Sequence, residues 1–265
     1  METPKRKMLM LVAASVVIAA VALGAWLFFG GDAPSEVDLE ATAAAVQGET
    51  TTTVQDATAT TATPSTTSAP PTEADAPVVA DVSGTWNVDT SIGEFTMSED
   101  TTATFAGFRV DEVLTSIGAT TAVGRTPAVT GVIEIDGTSL VGVDVTADLT
   151  GIKSDQSRRE GAIQRALNTS DHPEALFSLT EPIELGSGAS EGEIVEATAI
   201  GDLTINGITK SIELPVRAQL IDDTILVTAA TDLTFSDFDV TAPSAASVVS
   251  VEDVGVLELQ LWLSR

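Results

Sequence analysis

The stretch that most restricts the fold is Gly201–Val216, GDLTINGITKSIELPV. Leu203 and Ile205 alternate with Asp202 and Thr204 on one side of Asn206-Gly207. Ile212, Leu214 and Val216 alternate with Ser211, Glu213 and Pro215 on the other. Alternation at period two gives a strand one dry face and one wet face. Asn-Gly tolerates the positive φ angles of a two-residue turn, so the stretch reads as a tight β-hairpin.

The same rhythm recurs along the C-terminal part of the chain. Strands are predicted at Thr85–Asp89, Thr102–Val110, Ala119–Val123, Val129–Asp136 and Leu140–Thr150, then at Ala175–Thr180, Ile194–Ile205, Ile208–Leu220, Thr224–Phe235 and Val254–Leu263. In the last of these, Leu257, Leu259, Leu261 and Leu263 alternate with Glu258, Gln260, Trp262 and Ser264. Long strands with one dry face each suit an antiparallel sheet curled around one interior, and closure into a barrel removes exposed edges. One segment breaks the pattern. Ser154–Asn168 has helical spacing, with Ile163 and Leu167 four apart, and Ser157 and Glu160 stand at capping-box distance.

The chain before the barrel divides in two. Lys5, Arg6 and Lys7 precede Met8–Phe29, 22 residues without a charge. That length spans a bilayer, and the basic flank keeps the N-terminus cytoplasmic and the rest extracytoplasmic. Bulky Trp26-Leu27-Phe28-Phe29 stands where a cleaved signal peptide would need small residues, so an uncleaved anchor is expected; cleavage would make the protein secreted. Residues 32–80 are rich in Thr, Ala, Pro and acid, with no base and no aromatic. Such a composition cannot offset chain entropy by burial, so a disordered linker is expected there, although Val37–Val46 could form a short helix. The expected organisation is an anchor over 1–31, a linker over 32–80 and a barrel domain over 81–265.

Composition excludes several functions. Twelve Lys and Arg face 39 Asp and Glu, a formal net charge of −27, which repels nucleic acid. With no cysteine there is no disulfide, thiolate metal site, cysteine nucleophile or lipidated bacterial N-terminus. His172 is the one histidine, so a multi-histidine metal site within one chain is excluded.

Several segments resemble the YceI-like family: GTWNVDTSIGEFTM, then DQSRREGAIQRALNTSDHPEALFSLTEPIEL, then the Asn206-Gly207 hairpin, and finally SVEDVGVLELQLWLSR. The resemblance covers Ser83–Arg265. It implies an all-β, lipocalin-like antiparallel barrel with one helix and a long apolar channel that holds a polyisoprenoid or related lipid. The chain departs from the family pattern at Asp89-Thr90-Ser91, where many members carry a histidine-serine pair, and at Arg158-Arg159-Glu160, where many carry an arginine-aspartate pair.

The alternation places Phe105, Val145, Leu149, Phe177, Leu179, Leu203, Ile205 and Leu214 on dry faces, and Leu167 on the apolar side of the helix. With the resemblance they become the expected lipid contacts; without it they would fill a packed core. Phe105 and Phe108 are in opposite phases, so only one of them points inward unless Gly107 bulges. Arg158, Arg159 and Arg165 on the helix would meet an anionic head group or pair with nearby acids. Gly188-Ala189-Ser190-Glu191-Gly192 has the form of a nucleophile motif, but a strand is expected after it and not a helix, so it reads as a flexible loop. Asp237, Asp239, Glu252 and Asp253 lack EF-hand spacing and read as acidic loops. No catalytic residue, metal or cofactor is expected. The alternative class is a packed interaction module of the cell envelope, and a homodimer through an exposed strand or helix is compatible with either.

Overall fold

The computed structural model describes residues 33–51, 81–97, 101–115, 118–243 and 248–265. The expected anchor at 8–29 lies outside the described residues. Among the described residues no helix is long and apolar enough to cross a membrane.

Eight antiparallel strands form a closed barrel. In spatial order they are β1 (Gly84–Asp89), β4 (Val129–Asp136), β5 (Ser139–Asp148), β7 (Glu174–Leu179), β9 (Val195–Ile205), β10 (Ile208–Ile221), β11 (Thr224–Thr234) and β13 (Val254–Ser264). The barrel closes where β1 returns to β13, with Asn87 opposite Ser264 and Asp89 opposite Trp262. β13 is long enough to hold two neighbours on that edge. Its N-terminal half pairs with β2 (Phe105–Leu114), Gln260 lying opposite Phe105 and Val256 opposite Arg109. β2 continues to β3 (Gly118–Thr126) and β6 (Lys153–Ser154), and β12 (Val248–Val251) also pairs with β2. β8 (Ile183–Glu184) pairs with β5.

The Asn206-Gly207 hairpin forms as expected. Ile205 pairs with Ile208, and the two turn residues have φ of 51° and 73°. The His172 ring packs so close over Gly207 that a Cβ there would lie 2.5 Å from it. The short helix also forms, as a 3-10 turn at Ser157–Arg159 followed by an α-helix at Glu160–Ala166. The capping box does not. Neither turn has a side-chain cap, because Glu160 leans toward Lys153 at 3.5 Å and not back to Ser157. The expected flexible loop at 188–192 is a 3-10 turn over Ser187–Glu191 that buries Ala189 against the core.

The main correction concerns residues 33–51. They do not belong to a structureless linker; Leu39–Thr51 is a helix lying on the outside of the barrel, over most of the Val37–Val46 stretch that the sequence left open to one. Asp38 caps it, accepting from the Ala41 amide at 2.7 Å. Leu39, Ala43 and Val46 share one face and pack on Ile221, Leu226 and Trp262. The segment is poor in apolar residues, but its few are spaced for one helical face, and the barrel supplies the other half of the contact. The face of β13 opposite its leucines is therefore dry as well: Glu258, Gln260 and Trp262 are each at most 1% exposed.

Candidate functional site

A cavity of about 650 Å³ opens at the barrel end where β11 stops and β13 starts. β2, the short helix and the stretch from β11 to β12 make most of its wall, with Ala122 of β3. β2 presents Phe108, Val110, Glu112 and Leu114, the inward phase of its alternation. The short helix presents Arg158, Arg159, Ile163, Ala166 and Leu167, and the stretch after β11 adds Phe235 and Val240–Pro243, with Val248 and Val251 of β12. Its volume is in the range of sites that enclose small ligands, and apolar side chains dominate its wall.

Phe108 and Phe235 form the floor. Their rings meet edge to face, 5.9 Å between centroids at 82°. Two glycines make room for them. A Cβ on Gly124 would sit 2.6 Å from the Phe108 ring, and one on Gly255 would sit 2.5 Å from the Phe235 ring. Below the pair lies a second apolar space of about 70 Å³, walled by Leu149, Leu167, Ile205 and Leu257 among others. Phe108, Phe235, Leu167 and Val240 line both spaces. Elsewhere in the barrel Trp86, Ile133, Val145, Leu261 and Leu263 pack as a core cluster, with half-buried Val143, Leu220, Val227 and Leu259 against it.

A buried ion pair faces the cavity. Glu112 is 6% exposed and is held by the Arg159 guanidinium. Arg159 also lies 3.2 Å from Asp155, which accepts from Ser154 Oγ at 3.0 Å. Burial pushes the Glu112 carboxyl above its ordinary value, and Arg159 opposes the rise. Arg159 is thus committed to two acids. Arg158 and Arg165 also line the cavity.

The structure sorts the expected contacts. Leu149, Leu167 and Ile205 reach the inner space, and Leu167 reaches the outer cavity as well. Val145, Phe177, Leu179, Leu203 and Leu214 face inward but belong to the packed core. Phe105 does not face inward. It lies on the outer face opposite Gln260, 1% exposed, with the Arg125 guanidinium 4.4 Å above its ring. Phe108 takes the inward phase, and no bulge is needed at Gly107. Val110, Leu114, Ala122, Phe235, Val240, Val248 and Val251 were not singled out from sequence. The alternation Phe108-Val110-Glu112-Leu114 was readable, but β12 and Val240–Pro243 carry no periodicity long enough to show.

The remaining polar candidates serve structure. Asp89 accepts from the amide and hydroxyl of Ser91 at 2.8 and 2.6 Å, which holds its carboxyl below the ordinary value. Asp253 accepts from the amide and hydroxyl of Ser236, and Asp237 lies 3.8 Å from Lys210.

A model of the YceI-like domain matches residues 86–262. The chain belongs to the YceI-like family. Comparison with curated proteins finds no match. Among solved structures, a polyisoprenoid binding domain from Saccharophagus degradans, implicated in plant cell wall breakdown, aligns with a TM-score of 0.52 at 16% identity, covering 68% of this chain and 97% of that one. BcnA of Burkholderia cenocepacia aligns at 0.47 and 15% identity over 60% of this chain and 95% of its own, and the Campylobacter jejuni YCEI protein at 0.44 and 17% identity over 52% and 82%. At such identities the likeness is one of fold. In this chain a docked helix precedes the first strand of the YceI-like barrel.

Proposed function

We propose that this YceI-like protein is a membrane-tethered, extracytoplasmic carrier that holds a long apolar lipid, polyisoprenoid in character, without covalent chemistry. The observation that carries the reading is the 650 Å³ cavity with an apolar wall in a barrel of this family. The Saccharophagus domain of the same fold is a polyisoprenoid binding domain, which supports the choice of lipid. An apolar chain leaving water for the cavity gains about 0.8 kcal/mol per buried CH₂. Arg158, Arg159 and Arg165 line the cavity, Arg159 held between Glu112 and Asp155, and this cationic wall would favour an anionic head group. The tether is the uncharged span 8–29. The role is one of binding and not catalysis.

The core cluster around Trp86 and Leu261 and the small size of the inner space favour a second reading. The space below the two phenylalanines, about 70 Å³, admits no lipid tail as it stands. A chain longer than the outer cavity must part Phe108 from Phe235. A barrel whose aromatic floor never opens would be a packed envelope module.

Native mass spectrometry of the full chain in detergent, with solvent extraction of what co-purifies, separates the two. A discrete added mass extracting as a prenyl or other long-chain lipid supports the carrier. An apo mass that takes up no prenyl lipid when offered one would leave the packed module.

A further inference from the structure

We propose that residues 34–46 form a bracket that mounts the barrel with its cavity mouth turned toward the membrane and close to it. The inference rests on the tether reading of residues 8–29.

The docked segment runs diagonally over the outer faces of β2 and β3, then β13, β11 and β10, in a defined direction. Its N-terminal end is held by two arginines on the outer faces of β2 and β3. Arg109 donates to the Pro34 carbonyl and lies 3.4 Å from Glu36, and Arg125 donates to the Ser35 carbonyl at 2.7 Å. Both arginines reach Glu258, at 3.0 Å each. Val110 follows Arg109 directly, and it lines the cavity with Glu112 and Leu114. Farther along, Thr42 donates to Gln260 at 2.9 Å, and Leu39 and Ala43 pack on Trp262, Leu226 and Ile221. Ile221 precedes the β10–β11 turn, which pairs near Leu263 at the opposite end of β13. Pro34 therefore lies toward the mouth, and Val46 lies toward the opposite end.

Chain length turns this direction into an orientation. Only residues 30–33 separate Phe29 from Pro34. Fully extended, they allow about 18 Å between the two. β13 has 11 residues, about 35 Å along the strand, so at the usual barrel tilt of about 40° the two ends stand about 27 Å apart. The mouth is within reach of the bilayer surface and the opposite end is not. Residues 52–80 then connect two points on one barrel and do not set its distance from the membrane. A lipid could pass from the bilayer to the cavity with little exposure to water.

The absence of cysteine makes the test direct. The full chain, carrying Thr241→Cys at the mouth or Asp223→Cys at the far turn, is labelled with a fluorophore and placed in phosphatidylcholine vesicles with a head-group quencher. The expected result is quenching several-fold stronger at position 241 than at 223, with the difference abolished by Leu39→Asp combined with Ala43→Asp. Equal quenching at both positions, or stronger quenching at 223, in a chain that floats with the vesicles overturns the bracket and leaves the tether intact. A chain that does not float with the vesicles overturns the tether reading, and the mounting with it.

Discussion

At the scale of single residues, the side chains that govern this barrel are buried charges. Glu258 is fully buried between Arg109 and Arg125. Burial pulls the Arg125 guanidinium below its ordinary value, and Glu258 opposes that pull, so each charge depends on its partner. Removing one member of such a group leaves an uncompensated charge. Glu258→Ala is expected to cost about 3–5 kcal/mol in urea denaturation, far more than an exposed pair such as Lys153–Glu160 would. Glu112 behaves differently with pH. Its folded carboxyl binds its proton more tightly than the unfolded one, whose ordinary value is 4.5. Native protein therefore loses stability as pH rises through the window above 4.5. Glu112→Gln is expected to remove that downward slope from a plot of unfolding free energy against pH, measured by denaturant titration.

The docked helix shows what an element contributes beyond its own propensity. It contains Thr, a Gly and four alanines and would be marginal alone in water. It is held by Leu39 at 0% exposure, by the Thr42–Gln260 bond, and by Arg217, which donates to Glu40 at 2.6 and 2.7 Å. That pairing lowers the Glu40 carboxyl below its ordinary 4.5, and hydrogen bonds from Thr150 likewise lower Asp148 below 3.8. For both acids the stabilisation is present above the unfolded value and is lost as pH falls through the lowered one. Leu39→Asp is expected to cost about 2–5 kcal/mol and to release the helix. The checking signal is Trp262, now 1% exposed, whose emission should shift to the red. An unchanged spectrum would mean that the helix stays docked without its central leucine.

The whole molecule carries −27, with 30 acids and nine bases in residues 81–265. Self-repulsion of that size opposes compaction and is screened by salt. Its melting temperature is expected to rise from about 10 mM to about 150 mM sodium chloride, where the Debye length falls to roughly 8 Å. A fall would mean that the ion pairs at Glu258 and Arg159 outweigh the general repulsion.

The sequence by itself determined the barrel. Val129–Asp136 is a strand at the expected boundaries, the Asn206-Gly207 turn sets the β9–β10 register, and the alternating leucines of β13 face inward. These are local patterns, and a period of two survives without knowledge of neighbours. The approximate place of the short helix was legible for the same reason. What tertiary structure decided was which second face would also be dry. Nothing near Trp262 in the chain announces that Leu39, Ala43 and Val46, more than 200 positions earlier, will cover it. The choice between Phe105 and Phe108 as the inward residue follows from pairing with β13, and the cavity itself comes from segments far apart in sequence. Burial is a property of pairs of surfaces, and a sequence shows only one surface at a time.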